Sequence, residues 1–435
     1  MAKRGFFRDF VGVLNSNIVS LLSALLMVVV LTRVLGTEGY GTYNALIVIP
    51  LIVVSFTHLG IRGASIYLLG IKKYDENKLV SSVILILAGS GLAGMILSAV
   101  AFWFYQVPAF NLLLITLVLF IIPLRLTTIY AGGIFYGKDE IKQANQLNWM
   151  INLLNLVLAV VLVWWLNFGL TGAVVATLAA NLYVAIKALE LLYQQFNIKP
   201  AYHSVIVKHL LSMGILFSMS FFVLQLNYKI DILLLERLST IEEVGLYSLA
   251  TQIAEQLWQI PLAISLVLFT RTANNETQSQ LSNILPLTRT TLILVSFIAA
   301  TLFLIAPFVI PLFFGEEFTN SSLILQIILP GIVVMTVFRV LSGQLAGMGK
   351  PQVTMYIFVP ALILNILLNF LWIPNYGGNG AAMASNVSYF LGVSGYWIYY
   401  SRLHKISLLE IVHFRKSDFN ALNQLIQKVK SRWTN

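Results

Sequence analysis

The stretch Leu31-Thr32-Arg33-Val34-Leu35-Gly36-Thr37-Glu38-Gly39-Tyr40-Gly41-Thr42-Tyr43 lies between two long apolar runs. Part of it returns 204 residues later, where Leu235, Arg237, Glu242, Gly245 and Tyr247 repeat Leu31, Arg33, Glu38, Gly41 and Tyr43. Two more landmarks follow in the same order. Asn167, Gly169, Gly172, Ala173 and Ala176 reappear 208 residues on as Asn375, Gly377, Gly380, Ala381 and Ala384. Gly137-Lys138 is matched by Gly349-Lys350. A nearly constant offset through so many positions marks an internal duplication.

The apolar runs tell what is duplicated. Of 435 residues, 58% are hydrophobic and 10% are charged, whereas soluble chains are about 25% charged. A membrane helix needs about 20 mostly apolar residues. Twelve segments qualify: 10–35, 42–69, 79–104, 110–136, 144–166, 171–195, 209–235, 244–270, 284–313, 322–346, 351–373 and 380–401. They are longer than the alternating strands of about ten residues that build membrane barrels. The first has no small-residue cleavage site and is too long for a signal-peptide core. The expected fold is an all-α, polytopic membrane protein with 12 transmembrane helices. It divides into an N-terminal lobe over 1–200, a C-terminal lobe over 201–401 and a basic tail over 402–435. Six spans per copy is an even number, so both copies enter from the same side and the repeat is parallel. Two packed parallel lobes suggest a transporter with a site between them.

Lys and Arg fall almost entirely on alternate connectors. Lys3, Arg4 and Arg8 precede the first span, and Lys72, Lys73, Lys78, Lys138, Lys142, Lys187, Lys199, Lys208, Arg271, Arg289 and Lys350 follow on the even connectors. The odd connectors carry only Arg33 and Arg237, each at a helix end beside a Gly/Tyr turn, where anchoring is the better reading. By the positive-inside rule both termini are cytoplasmic. The net charge of +10 is thus topology, and no nucleic-acid partner is expected. In the tail, Phe419, Leu422, Leu425, Ile426 and Val429 share one helical face, as in a helix lying on an anionic leaflet.

Other classes are excluded by what the chain lacks. With no cysteine there is no disulfide framework, thiolate metal site or cysteine nucleophile. No Gly-x-x-x-x-Gly-Lys-Ser/Thr loop is present, so no intrinsic ATPase and no nucleotide cofactor is expected. His58, His203, His209, His404 and His413 show no metal-ligand spacing. Short outer connectors argue against a sugar polymerase or lipid-linked glycosyltransferase. The connector Gly70-Ile71-Lys72-Lys73-Tyr74-Asp75 does not fit the turn of the twelve-helix facilitators.

The Leu31–Tyr43 stretch resembles the start of polysaccharide flippases, the Wzx-like members of the multidrug/oligosaccharidyl-lipid/polysaccharide (MOP) exporter superfamily. His58-Leu59-Gly60-Ile61-Arg62-Gly63-Ala64 is similar to that family's small-residue motif in the second span. His58 stands where the family often has an acid. The Gly-Lys and Gly-x-x-Gly-Ala landmarks also fit, and the resemblance covers residues 1–400. It implies a V-shaped bundle of two lobes around a central cavity in the bacterial cytoplasmic membrane. It implies flipping of an undecaprenyl-pyrophosphate-linked oligosaccharide, the repeat unit of an O-antigen or exopolysaccharide, to the outer leaflet. Membrane lipid and polymerase or assembly proteins would be its partners. Transport by a monomer coupled to H+ or Na+ is expected, with no enzymatic step.

Charges inside spans cost several kcal/mol and usually face a bundle interior or wet cavity. Here they are Arg62, Arg125, Lys229, Asp231, Glu255 and Arg339, mostly cationic. Guanidinium groups grip phosphate oxygens bidentately and stay charged when desolvated, so Arg62, with Arg125, Arg339 and Lys229, is the expected pyrophosphate site. Structural ion pairs or snorkelling are the competing readings. Asn145, Asn148, Asn152 and Asn155 follow one helical face, as do Ser248, Gln252, Glu255 and Gln259. These amides suit sugar hydroxyls, although membrane bundles also use them between helices. Glu255 and Asp231 are the candidates for ion coupling. An antiporter of cationic drugs from the same superfamily is the alternative, and a membrane-bound glycan enzyme a more distant one.

Overall fold

A computed structural model of the chain describes residues 6–105, 111–199, 201–273 and 281–413. Among them every regular element is helical. In chain order these are α1 (Phe6–Thr57), α2 (Ile61–Gly70), α3 (Glu76–Tyr105), α4 (Leu112–Gly137), α5 (Ile141–Ala159), α6 (Gly169–Gln195), α7 (Ser204–Leu238), α8 (Ile241–Glu255), α9 (Gln259–Ala273), α10 (Leu281–Phe314), α11 (Ser321–Gly347), α12 (Gln352–His404) and α13 (Leu408–Val412). A π turn over Val160–Trp165 prolongs α5. Nine helical stretches of the described residues are long and apolar enough to cross a membrane. The amphipathic tail expected from Phe419 to Val429 lies outside the described residues.

The surface is inverted relative to a soluble protein. Trp103, Trp165 and Phe308 are 68%, 78% and 76% exposed, while Asn227, Asn365 and Asn369 are fully buried. Large apolar patches need an apolar surrounding, and a lipid bilayer supplies it. The chain is a multi-pass membrane protein.

Several expected boundaries move. Residues 36–41 are not a loop: α1 runs through them, turning only at Gly36, whose φ of 66° suits a residue without a Cβ. A second such turn lies at Gly377 (φ 53°) within α12, the repeat counterpart of Gly169, which has the same φ. Conversely, the second expected span is interrupted. α1 ends at Thr57, Leu59 and Gly60 both take positive φ (49° and 62°), and α2 restarts at Ile61. The Gly60 N–H donates to His58 Nδ1 at 2.8 Å, which closes this joint from within.

The structure divides into two compact units, one of Met1–Ser248 with Phe313–Glu317 and one of Leu249–Leu312 with Phe318–Asn435. In the first, α2, α3, α4, α6 and α7 enclose a core that includes Leu79, Val83, Ile122, Leu126, Phe135, Val184 and Leu210. Lipid is as apolar as leucine, so such helices are held by close packing and interhelical hydrogen bonds rather than by hydrophobicity. Two close approaches stand out. A Cβ on Gly41 would overlap the backbone of Ile241 and Gly245, and a Cβ on Gly245 would overlap that of Thr37 and Gly41. Since 241 and 245 repeat 37 and 41, the contact is reciprocal, and the two copies of the landmark meet face to face.

Arg33 and Arg237 show a similar exchange. Arg33 Nε donates to the Phe313 carbonyl at 3.0 Å. Arg237 donates to the Tyr105 carbonyl and lies 5.1 Å from the Tyr105 ring centre. Tyr105 ends α3, in the first repeat copy, and Phe313 is next to last in α10, in the second. Each arginine thus caps carbonyls left open at the end of a helix of the other copy, where positive charge also opposes the helix dipole.

In the second unit, α11 carries Pro330, which cannot donate a backbone hydrogen bond. One residue on, the Asn386 amide bridges the backbone of α11. Its Oδ1 accepts from the Gly331 N–H at 2.9 Å and its Nδ2 donates to the Ile327 carbonyl at 2.5 Å. A side chain inserted into the ladder in this way satisfies backbone groups within the membrane.

Candidate functional site

In the first unit two of the intramembrane cations, Arg62 and Arg125, are linked to the amide stripe of α5. Arg62, the second residue of α2, is exposed, with its guanidinium 5.3 Å from the Tyr136 ring centre. The Tyr136 hydroxyl donates to Asn145 Oδ1 at 2.8 Å. Arg62 approaches α4 so closely that a Cβ on Gly133 would meet its Cα at 2.8 Å. Two turns of α4 away stands Arg125, half-buried, which interacts electrostatically with the Tyr43 hydroxyl. Arg125 makes no hydrogen bond or ion pair among the described residues.

Between the arginines runs α5. Asn152 Nδ2 donates to Ser20 Oγ on α1 at 2.5 Å. Asn155 Oδ1 accepts from Thr177 Oγ1 on α6 at 3.3 Å, and Thr177 shares a 2.9 Å hydrogen bond with Tyr43. Asn148 is exposed. From Asn145 to Asn155 the stripe rises about 15 Å, at 1.5 Å per residue. Arg62 is tied to its first amide through Tyr136, and Arg125 to its last through Tyr43 and Thr177. The arrangement is a polar ladder with a guanidinium at each end. It offers hydrogen-bonding groups to a long polar ligand and two fixed positive charges to an anionic one.

The other expected residues lie elsewhere. Lys229 is half-buried in α7. Asp231, two residues on, is fully buried and accepts from the Tyr247 hydroxyl at 2.6 Å. In the second unit, the Arg339 guanidinium stacks 4.2 Å from the Trp258 ring centre, and the Trp258 indole donates to the Ile332 carbonyl. The stripe Ser248, Gln252, Glu255 and Gln259 does not follow one continuous α-helical face. α8 ends at Glu255, and a tighter 3₁₀ turn over Gln256–Trp258 precedes α9. That turn advances about 120° per residue rather than 100°, so Gln259 is rotated out of line; it is exposed, whereas Ser248 is buried.

Tyr136 and Thr177 were not singled out in the sequence, although they connect the ladder. A phenol in an apolar run is the available signal, because its hydroxyl needs a partner when buried.

The polysaccharide biosynthesis protein family model matches residues 7–271, more than half of the chain and all of the ladder. The chain belongs to this family. A second model, MatE, matches residues 216–371. Among characterised relatives, the capsular polysaccharide biosynthesis protein CapF of Staphylococcus aureus is 24% identical over 407 residues, covering 91% of this chain and 99% of its own. Solved structures share the fold, two of them as follows. One is the lipid II flippase MurJ in an inward closed conformation, with a TM-score of 0.72, 14% identity and coverage of 96% and 93% of the two chains. The other is an inward-facing MATE family multidrug resistance transporter of the MOP superfamily, with a TM-score of 0.71, 15% identity and coverage of 89% and 95%. The resemblance read from Leu31–Tyr43 is thereby borne out at the level of family and fold. In this member of the polysaccharide biosynthesis family, the part covered by the family model includes both arginines and every amide between them.

Proposed function

We propose that this protein flips an undecaprenyl-pyrophosphate-linked oligosaccharide, an O-antigen or exopolysaccharide repeat unit, from the cytoplasmic to the outer leaflet. The observation that carries the reading is the amide ladder with a guanidinium at each end. A diphosphate needs bidentate cationic donors, and a glycan needs many weak amide contacts rather than one strong one. Arg62 packs against Gly133 near the end of α4 that leads into Lys138, the cytoplasmic end if both termini are cytoplasmic, and Arg125 lies about two turns further from that end. A lipid-linked diphosphate entering from that leaflet would meet Arg62 first. The sugars would lie along Asn148, Asn152 and Asn155 towards Arg125, with the prenyl chain left in lipid. Lys229 and Arg339 would serve later positions in the cycle.

Twelve crossings in two six-helix lobes complete the proposal. α1 and α12 are 52 and 53 residues long. At 1.5 Å per residue each measures about 78–80 Å, more than twice the roughly 30 Å hydrocarbon core, so each is counted as two spans joined at Gly36 or Gly377. The pair α8–α9 is counted as one broken span. Alternating access would occur in the bacterial cytoplasmic membrane, in a monomer driven by an H+ or Na+ gradient.

The MatE match favours a second reading, an antiporter of cationic drugs. That activity calls for carboxylates facing the ligand. The ladder presents arginines instead, and Asp231 is enclosed with Tyr247.

Leaflet transfer in proteoliposomes tests the proposal. Undecaprenyl-pyrophosphate oligosaccharide is placed in one leaflet, and its appearance in the other is followed with an external sugar-modifying enzyme. Protein-dependent transfer is expected, reduced at least about tenfold in Arg62→Ala with Arg125→Ala, since each lost phosphate contact is worth roughly 1.5–3 kcal/mol. Unchanged transfer in the single and double variants of stably folded protein would sink the ladder as the site. Glu255-dependent binding of cationic dyes, with no glycan transfer, would establish the antiporter.

A further inference from the structure

The joint between α1 and α2 is closed by a group that titrates. The backbone N–H of Gly60 has only a hydrogen to offer, so His58 Nδ1, 2.8 Å away, must present a lone pair. The ring is therefore neutral here, with its proton on Nε2. A second proton on the ring would occupy Nδ1, turn the acceptor into a donor and set two N–H groups against each other.

The hydrogen bond holds a particular backbone. Leu59 and Gly60 both have positive φ, and the turn seats the chain against α7. A Cβ on Gly60 would overlap the Gly214 carbonyl, and one on Gly214 would overlap that of Leu59. Ser218 Oγ donates to the Phe56 carbonyl at 2.9 Å, and the His58 ring lies 5.2 Å from that of Phe221. On the far side of the joint, four residues from His58, stands Arg62.

The ionisable groups on the surrounding helices are few. α2 has Arg62 and Tyr67, and α4 has Arg125, Tyr130 and Tyr136, with Tyr130 donating to the Thr57 carbonyl. α7 has none between His209 and Tyr228, α3 none between Lys78 and Tyr105, and α1 only Tyr40 and Tyr43 between Glu38 and its end at Thr57. α5 and α6 carry Lys142, Tyr183, Lys187, Glu190 and Tyr193. Of the acid candidates for coupling, Asp231 lies on α7 beyond Tyr228, and Glu255 ends α8.

We propose that His58 is a proton-binding site that latches the α1–α2 joint, and that protonation releases the latch and frees α2 to move. Uptake of one proton on Nδ1 breaks one hydrogen bond and requires no other reactant. Because α2 carries Arg62, the proton resets the position of that guanidinium. If Arg62 is the anion site proposed above, proton and anion binding are then coupled, and each alters the affinity for the other by the same factor.

The chain has no cysteine, so paired spin labels can be introduced at Tyr67→Cys on α2 and Leu92→Cys on α3, both exposed positions. Their distance distribution is measured in lipid nanodiscs between about pH 8 and about pH 3, a range that extends far below the ordinary imidazole value of about 6.5. With His58 intact, acid is expected to shift or broaden the distribution. In His58→Asn the side-chain oxygen can still accept from the N–H two residues on but does not titrate, so the high-pH distribution is expected throughout. In His58→Phe the acceptor is gone, and an acid-like distribution is expected throughout. An acid shift that persists in His58→Asn, or its absence with His58 intact, overturns the proposal. Adding methanedisulfonate, whose charge is fixed over this range, is expected to move the midpoint with Arg62 present and not in Arg62→Ala. A midpoint that ignores the anion while the His58-dependent shift remains rejects Arg62 as the anion site and leaves the latch standing.

Discussion

Each arginine discussed above has its own kind of partner. Arg33 and Arg237 are spent on backbone carbonyls, Arg62 and Arg339 lie against aromatic rings, and Arg125 has a phenol nearby. The first two should therefore matter for stability. Replacing either with alanine is expected to cost about 1 kcal/mol, seen as a lower unfolding temperature in detergent, with lysine restoring part of it. Arg62 should matter for binding instead. Tyr136→Leu removes the ring beneath it, worth about 0.5–1 kcal/mol at an exposed site, so anion affinity measured by calorimetry should fall roughly two- to fivefold. Tyr136→Phe keeps the ring and should lose much less. The candidate charges themselves were legible in the sequence, because a charge in an apolar run is conspicuous. Their partners were not. A Tyr136 that touches both Arg62 and Asn145 depends on three helices meeting, which no spacing within one helix encodes.

Single residues also decide how these helices begin, bend and break. Asn386→Ala should leave the Gly331 N–H and the Ile327 carbonyl without their bridge beside Pro330, at about 1–3 kcal/mol. Asn386→Asp keeps the acceptor and loses the donor, so its loss of thermal stability should fall between wild type and alanine. Gly36→Ala forces a Cβ into left-handed backbone at a cost of roughly 1–2 kcal/mol, and the same change at Gly377 should cost a similar amount. Element boundaries were the less legible part of the fold. Apolar runs mark where a helix can lie in lipid, but a bend at one glycine hardly changes hydropathy, so residues 36–41 read as a loop. The interruption at His58–Gly60 was missed for the same reason, and the 3₁₀ turn after Glu255 contains no Gly or Pro to announce it.

For the molecule as a whole, the repeat read from the sequence acquires a physical contact in Gly41 and Gly245. Because the backbones touch there, Gly41→Val or Gly245→Val should destabilise by about 1–3 kcal/mol or more. The two changes together should cost less than their sum if relief at one side makes room at the other, which a double-mutant cycle in thermal unfolding would show. Fusions of a cytoplasm-only fluorescent reporter before residue 6 and after residue 413 should both glow if the proposed topology holds, and a fusion within 106–110 should stay dark. The exchange of helix caps has a consequence for biogenesis. Arg33 leaves the ribosome 280 residues before the Phe313 carbonyl that receives it. At roughly 5–20 residues per second, it waits tens of seconds in the membrane for the far end of its own chain. A nascent protein halted before Phe313 thus holds an uncapped arginine, and this offers quality-control proteases a mark by which an unfinished copy differs from a finished one.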